Sequence, residues 1–183
     1  QVEFLSTLSG ECLVTLIYHQ KLDEAWVLEA RQVEEVLNIT VVGRSRGQKL
    51  VASDDWVAET LQVDGQSFIY KQPEQAFIQP NAEVNQGMLS WACAQTQTED
   101  QDLLELYCGI GNFTIPLSRH YRRVLATEVS KVAIRAAQEN LVLNGIENVT
   151  FARLSAEEVT QALNSKREFR RLKSLEPPLN DYD

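Results

Sequence analysis

The chain has 183 residues, of which 44% are hydrophobic and 23% charged, and its formal net charge is −9 at pH 7. This length and apolar content allow one ordinary domain or two small ones, and they exclude a disordered or fibrous chain. No apolar run approaches a membrane span, the opening residues lack a secretory signal, and the acidic total does not by itself favour a nucleic-acid partner. The sequence therefore predicts a soluble cytoplasmic protein with no membrane partner.

Apolar runs separated by turn residues predict a small α+β subdomain over residues 1–75. Its predicted elements are a strand at 11–18, a helix over 23–37 that Asn38 ends, strands at 39–42 and 49–52, and a hairpin of 60–63 with 67–71 around Asp64-Gly65. The polar turn predicted at 43–48 carries Arg44 and Arg46, and Lys49 follows it. A basic hairpin tip is typical of a phosphate contact, although it fits a solvated loop equally well.

Residues 76–101 are predicted to connect this subdomain to the rest of the chain. The segment Phe77-Ile78-Gln79-Pro80-Asn81 leads into a helix over residues 82–95, which Asn81 is expected to cap. We expect four apolar residues of this helix to be core residues: Met88, Leu89, Trp91 and Ala92. The polar residues 97–101 predict a loop.

An apolar run that enters a Gly-x-Gly turn is the most informative motif. Residues 102–106 predict a strand buried on both faces, and Gly109 and Gly111 follow it, where the lack of a Cβ lets a ligand approach the backbone. Glu128 ends the next apolar run, where it could accept hydrogen bonds from ribose hydroxyls. Thr114 replaces the third glycine of a dinucleotide fingerprint, which disfavours a dinucleotide oxidoreductase. The pattern predicts an adenosine ligand such as S-adenosylmethionine.

Alternating helices and strands predict a parallel α/β sheet over residues 102–183. Helices at 113–120 and 130–144 alternate with strands at 124–129 and 149–154, and Ser155 with Glu158 predicts the capped start of another helix. An Arg-rich helix is expected next, with the basic residues Lys166, Arg167, Arg170, Arg171 and Lys173. Because only three strands precede the final loop and a doubly wound sheet has more, we expect a fragment of a longer polypeptide with a truncated sheet.

The segments Leu106–Phe113 (LYCGIGNF), Phe77–Asn81 (FIQPN) and Thr127-Glu128 resemble the RNA uracil-5-methyltransferase family, with the closest likeness to its bacterial tRNA (uracil-5-)-methyltransferases. Further similarity at 18–23, 42–44, 156–158 and 167–169 extends the resemblance over nearly the whole chain. The resemblance implies a Rossmann-like S-adenosylmethionine-dependent methyltransferase sheet. It also implies an enzyme that, at full length, methylates C5 of a T-loop uridine in tRNA.

The resemblance also implies roles for individual residues. The residues expected to bind S-adenosylmethionine are Gln79, Tyr107, Gly109, Gly111, Asn112 and Glu128, and those expected to contact the tRNA are Phe77, near the target base, with Arg44, Arg46 and Lys49 on phosphates. Structural roles are the alternatives, since Gln79 could fix the loop around Pro80 and Asn112 could cap a helix.

In this family a cysteine thiolate attacks C6 of uracil, C5 takes the methyl group and a base removes the C5 proton. The resemblance implies that the nucleophilic cysteine and the general-base glutamate lie beyond Asp183, so these 183 residues alone are expected to be inactive. Cys12, Cys93 and Cys108 are expected to be core or turn residues, and their spacing predicts no metal site.

Two other functions remain open from the sequence. Ribosomal-RNA uracil-5-methyltransferases share the cofactor loop, so the motifs do not separate the two RNA substrates. A noncatalytic adenosine-binding or RNA-binding module is the alternative of a different class.

Overall fold

The computed structural model describes residues 1–96 and 100–164, together with Phe169, Leu172 and Leu179. The predicted Arg-rich helix and the final loop lie outside these residues. The chain divides into two compact units, of which the first comprises Gln1–Thr60 with Lys71–Gln75 and the second comprises Leu61–Tyr70 with Ala76–Asp183. None of the helices in the described part is long and apolar enough to cross a membrane.

The first unit is built on a four-stranded mixed sheet. Its elements are β1 (Val2–Ser6), β2 (Cys12–Tyr18), α1 (Glu24–Leu37), β3 (Thr40–Ser45) and β4 (Gln48–Val51), with the strands in the order β1-β2-β3-β4. Strands β2 and β3 are parallel, so α1 serves as the crossover between them. Asp23 caps α1 and Asn38 ends it in the left-handed conformation, which confirms the predicted helix. Strand β1 was not predicted.

The hairpin β3–β4 differs from the predicted one. Its connection is the two-residue turn Arg46-Gly47, with φ values of 40° and 82°, instead of a polar turn over 43–48. Gly43 lies within β3, where a Cβ would come within 2.6 Å of the Trp26 indole. Because the turn has only two residues, Arg44 and Lys49 lie directly opposite each other on the two strands rather than at the tip.

A long hairpin follows, made of β5 (Trp56–Val63) and β6 (Gln66–Pro73). Its turn, Asp64-Gly65, has positive φ at both residues, which confirms the predicted hairpin turn. The end of the hairpin nearest this turn belongs to the second unit, where Leu61, Phe68 and Tyr70 enter the core.

The second unit contains a three-stranded parallel sheet, which confirms the predicted α/β fold. Its elements are α2 (Ala82–Ala94), β7 (Asp102–Leu106), α3 (Thr114–Leu117), β8 (Arg123–Thr127), α4 (Lys131–Leu143), β9 (Val149–Ala152) and α5 (Ala156–Leu163), with the strands in the order β7-β8-β9. A short 3-10 turn at 118–120 completes the predicted helix at 113–120. Ser155 and Glu158 form the predicted capping box of α5.

Two expectations about burial are wrong. Strand β7 is not fully buried, because Leu103 and Leu104 are half-buried and Leu106 is 39% exposed. On α2, Leu89 is buried as expected, but Met88 and Trp91 are 39% and 67% exposed. The buried side of α2 is formed by Asn85, Leu89 and Cys93, one helical turn apart.

Candidate functional site

The loop after β7, residues 107–113, is called the glycine loop here. Tyr107, Gly109 and Gly111 have φ values of 58°, 58° and 85°. A Cβ at Gly109 would meet no heavy atom within 4 Å, so the space beside that residue is open. Tyr107 is 64% exposed, and a non-glycine residue in the left-handed conformation is uncommon. The glycine loop thus offers accessible backbone and an aromatic ring to a ligand.

The inner side of the glycine loop is fixed by buried groups. The Cys108 N–H donates a hydrogen bond to the Thr127 carbonyl at 3.0 Å, which ties the loop to the end of β8. The buried Asn140 of α4 donates from Nδ2 to the Ile110 carbonyl at 3.1 Å. Because these bonds involve residues of β8 and α4, the sheet and the following helix together set the loop conformation.

Glu128, directly after β8, bridges the ends of two neighbouring strands. Its Oε2 accepts from the Gly109 N–H at 3.2 Å, and its Oε1 accepts from the N–H groups of Val129 and Ser130 at 2.7 and 2.8 Å. A carboxylate oxygen can accept two hydrogen bonds. Oε2 therefore retains an acceptor position, as the predicted contact with a ribose hydroxyl requires.

Asn112 is held by two residues that the sequence analysis did not single out. Its side-chain amide forms a reciprocal pair with Asn85 of α2, with N–O distances of 2.8 and 2.9 Å. The Tyr70 hydroxyl donates to the Asn112 backbone carbonyl at 2.9 Å. The sequence signal that could have identified Asn85 is its spacing. It is a polar residue on the same side of α2 as the buried residues Leu89 and Cys93.

The segment that precedes α2 lies against the glycine loop. Ala76 and Ile78 pack on a cluster formed by Ile110, Ala133 and Ala136. Phe77 and Gln79 are outside that cluster. Phe77 is 76% exposed, and Gln79 is half-buried with no hydrogen bond to any residue that the structure describes. Neither the Phe77 nor the Gln79 side chain is therefore used to hold this segment against the glycine loop.

Thr114, which replaces the third fingerprint glycine, links α3 to β7. Its Oγ1 donates to Glu105 Oε2 at 2.6 Å. Glu105 as a residue is half-buried, but its carboxyl is enclosed, and this burial raises the pKa of Glu105 to about 7. A fingerprint glycine permits close packing of helix and strand. Here a hydroxyl occupies that place and makes a hydrogen bond to the strand instead.

Two of the three cysteine thiols are buried and are not activated. Cys93 and Cys108 are buried, and burial raises the pKa of Cys93 to about 11 and the pKa of Cys108 well above its usual range. Cys12 is half-buried on β2. In the described part of the chain no group of three or more His, Cys, Asp or Glu residues could hold a metal ion.

The basic residues of the β3–β4 hairpin differ in their availability. Arg44 donates from Nε and Nη2 to the two carboxylate oxygens of Glu74 at 2.5 and 2.7 Å. Lys49 lies 2.6 Å from an Asp55 oxygen and 3.4 Å from a Glu74 oxygen. Arg46 is exposed at the turn and has no ionic partner among the residues described. Of the three, Arg46 is the most available for a phosphate.

Comparisons with known proteins agree over the whole chain. A sequence model of the tRNA (uracil-5-)-methyltransferases matches residues 1–183. The tRNA/tmRNA (uracil-C(5))-methyltransferase of Acinetobacter baylyi is 58% identical over 183 residues, which are 100% of this chain and 51% of that protein. The protein of the same name from Neisseria meningitidis serogroup B is 57% identical over 181 residues, which are 99% of this chain and 50% of that protein. The chain thus spans about half the length of these two curated relatives.

Solved structures show the same fold. The structure of a Pyrococcus abyssi tRNA (uracil-54, C5)-methyltransferase in complex with S-adenosyl-L-homocysteine matches with a TM-score of 0.59 and 17% identity, over 83% of this chain and 38% of that chain. The structure of P. horikoshii TYW2 in complex with MeSAdo matches with a TM-score of 0.53 and 18% identity, over 85% of this chain and 56% of that chain. At these identities the likeness concerns the fold alone.

Proposed function

We propose, from the premise that this chain belongs to the tRNA (uracil-5-)-methyltransferase family, that its glycine loop binds S-adenosylmethionine and that the full-length protein methylates C5 of a T-loop uridine in tRNA. The observation that carries the cofactor assignment is the pairing of the glycine loop with Glu128. The carboxylate fixes Gly109 and keeps an acceptor position for a hydroxyl.

The residues around the loop fit the parts of an adenosyl cofactor. Glu128 would accept from the ribose hydroxyls, and the exposed ring of Tyr107 offers a face for an aromatic base. The amides of Gln79 and Asn112 would serve the polar groups of the ligand, since each retains unused hydrogen-bonding capacity. When bound, S-adenosylmethionine supplies an electrophilic methyl group. Exposed Phe77 would lie near the target base.

This part of the protein is proposed to bind the cofactor without performing the transfer. Methylation at C5 requires a nucleophile at C6, which raises the electron density at C5. Burial keeps the thiols of Cys93 and Cys108 protonated near neutral pH, since it raises the pKa of both. The nucleophilic cysteine and the proton-abstracting glutamate are therefore proposed to lie in the portion of the full-length protein outside these 183 residues.

Calorimetry with S-adenosyl-L-homocysteine tests the cofactor proposal. Glu128→Ala should weaken binding about 10- to 150-fold, because loss of a hydrogen bond to a charged group costs about 1.5–3 kcal/mol. Glu147→Ala is the matched control, since it removes an exposed acid from the same unit. Equal affinities for Glu128→Ala and the parent would refute the role of Glu128, and a folded parent that does not bind would refute the assignment to this chain.

Methyl transfer provides the second test. The 183-residue chain, incubated with labelled S-adenosylmethionine and unmodified tRNA, should place no label in uracil, whereas the full-length protein should label it. Transfer by the short chain that disappears in Cys108→Ala would identify Cys108 as the nucleophile and overturn this division of roles. Offering ribosomal RNA to the full-length protein in parallel distinguishes the two RNA substrates.

A further inference from the structure

Asn85 is a buried amide on a helix side that is otherwise apolar. It is 4% exposed, and its neighbours on that side of α2 are Leu89 and Cys93, at 0% and 4%. A buried amide is unfavourable unless its donor and acceptor are both satisfied. The partner that satisfies both groups of Asn85 is Asn112 in the glycine loop.

The reciprocal pair fixes the orientation of the Asn112 side chain. Each amide donates one hydrogen bond and accepts one, so both bonds form only when the two amide groups face each other. One N–H and one oxygen lone pair of Asn112 remain, and trigonal geometry directs them away from Asn85. The pair therefore determines which groups of Asn112 are available to a ligand.

Tyr70 holds the backbone of the same residue. Its hydroxyl donates to the Asn112 carbonyl at 2.9 Å, and the residue is 1% exposed. Burial raises the pKa of Tyr70 above its usual range, so the hydroxyl remains a donor throughout the neutral range. Asn112 is thus fixed through both its side chain and its backbone by residues of α2 and β6.

We propose that Asn85 and Tyr70 are positioning residues, which hold Asn112 and the glycine loop in the conformation that receives the cofactor. This inference rests on the proposed function. A loop that is ordered before binding loses less conformational freedom when the ligand arrives, and this raises affinity without any new contact. Neither residue needs to touch the cofactor.

A double-mutant cycle separates positioning from a general loss of stability. Binding of S-adenosyl-L-homocysteine is measured for the parent chain, Asn85→Ala, Asn112→Ala and the double variant. Asn85→Ala should weaken binding about 5-fold, the scale of one neutral hydrogen bond, and should add nothing once Asn112 is alanine. Additive effects in the double variant would overturn the proposal.

Asn148→Ala is the matched control, because the Asn148 side chain, like that of Asn85, forms two hydrogen bonds within the second unit, both donated at 2.9 Å to the carbonyls of Ser118 and Tyr121. It should lower the unfolding midpoint without changing affinity. Tyr70→Phe, which removes a single hydroxyl, should weaken binding about 3-fold. Equal losses of affinity for Asn85→Ala and Asn148→Ala would show that Asn85 has only a structural role.

Hydrogen exchange of the ligand-free chain gives a readout that does not depend on the cofactor. Exchange of the amides between Gly109 and Phe113 should be faster in Asn85→Ala and unchanged in Asn148→Ala. Unchanged exchange in Asn85→Ala would overturn the positioning role. Faster exchange in a chain whose parent does not bind S-adenosyl-L-homocysteine would retain the loop-holding role and refute the proposed function instead.

Discussion

The β3–β4 hairpin and the glycine loop were both predicted from sequence as ligand-contacting segments, yet their polar groups are used differently. In the hairpin, Arg44 and Lys49 are engaged by Glu74 and Asp55. The glycine loop is held by hydrogen bonds of backbone N–H groups and neutral side-chain amides. Glu128, which accepts from the Gly109 N–H, keeps an acceptor position for a ligand. The comparison teaches that the number of charges in a segment does not indicate how many of them can meet a ligand.

The acid that engages both Arg44 and Lys49 of the hairpin is distant from them in sequence. Glu74 lies 30 residues after Arg44, and its side chain is only 7% exposed. Arg44 and Lys49 are directly opposite each other, a placement that is unfavourable for like charges unless an acid lies between them. Burial is the largest single influence and acts to raise the pKa of Glu74, but the hydrogen bonds and charges of Arg44 and Lys49 together outweigh it, and the pKa is lowered overall.

The largest expected effect is therefore the loss of Glu74. Glu74→Gln should lower the free energy of unfolding of the first unit by about 2–3 kcal/mol, less than the loss of a fully buried ion pair, because Arg44 is 30% exposed. Urea unfolding followed by tryptophan fluorescence measures it, with Glu35→Gln on the exposed side of α1 as the control. Equal stability of the two variants would show that the hairpin charges do not need Glu74.

Glu105 sharpens the comparison because its pKa is shifted in the opposite direction. Burial raises the pKa of Glu105 to about 7, so between about pH 4.5 and 7 the folded state binds more protons than the unfolded state. Its contribution to stability is complete below about pH 4.5 and is lost as pH rises through about 7. The loss should be on the order of 2 kcal/mol.

The pH dependence of unfolding checks this prediction. Glu105→Gln keeps an oxygen acceptor for Thr114 but does not titrate, so its stability should fall less between pH 5 and 8 than that of the parent. Glu147→Gln, which changes an exposed acid of the same unit, should follow the parent curve. Parallel curves for the parent and Glu105→Gln would mean that the carboxyl is charged throughout.

The smallest expected effect is that of replacing Arg46, the positively charged residue of the β3–β4 turn. If the hairpin contacts tRNA, Arg46→Ala should reduce the slope of log affinity against log salt by roughly 0.7–0.9 without altering stability. Arg44→Ala, in contrast, should lower stability because it removes both hydrogen bonds of 2.5 and 2.7 Å from the Glu74 carboxylate and leaves it only Lys49, at 3.4 Å. Binding titrations of the full-length protein at several salt concentrations provide the measurement, and an unchanged slope would remove Arg46 from the RNA surface.

The features that the sequence alone predicted correctly are those with local causes. Asn81 and Ser155, the two predicted caps, each accept a hydrogen bond from an N–H group three residues further along the chain. The Asp64-Gly65 turn follows from the tolerance of these residues for positive φ. The positions of the glycine loop after β7 and of Glu128 after β8 were also predicted correctly, because their order along the chain reflects the order of strands in a parallel sheet.

The sequence by itself determined the helices that the structure describes, the second hairpin turn, the α/β order and the family. Only the tertiary structure decided that Asn85 faces Asn112, 27 residues away, that Glu74 engages Arg44, and that Trp91 is exposed while Leu89 is buried. The physical reason is that caps and turns are satisfied within a few residues. Burial and pairing instead depend on which distant elements pack together, and neither periodicity nor residue type specifies that.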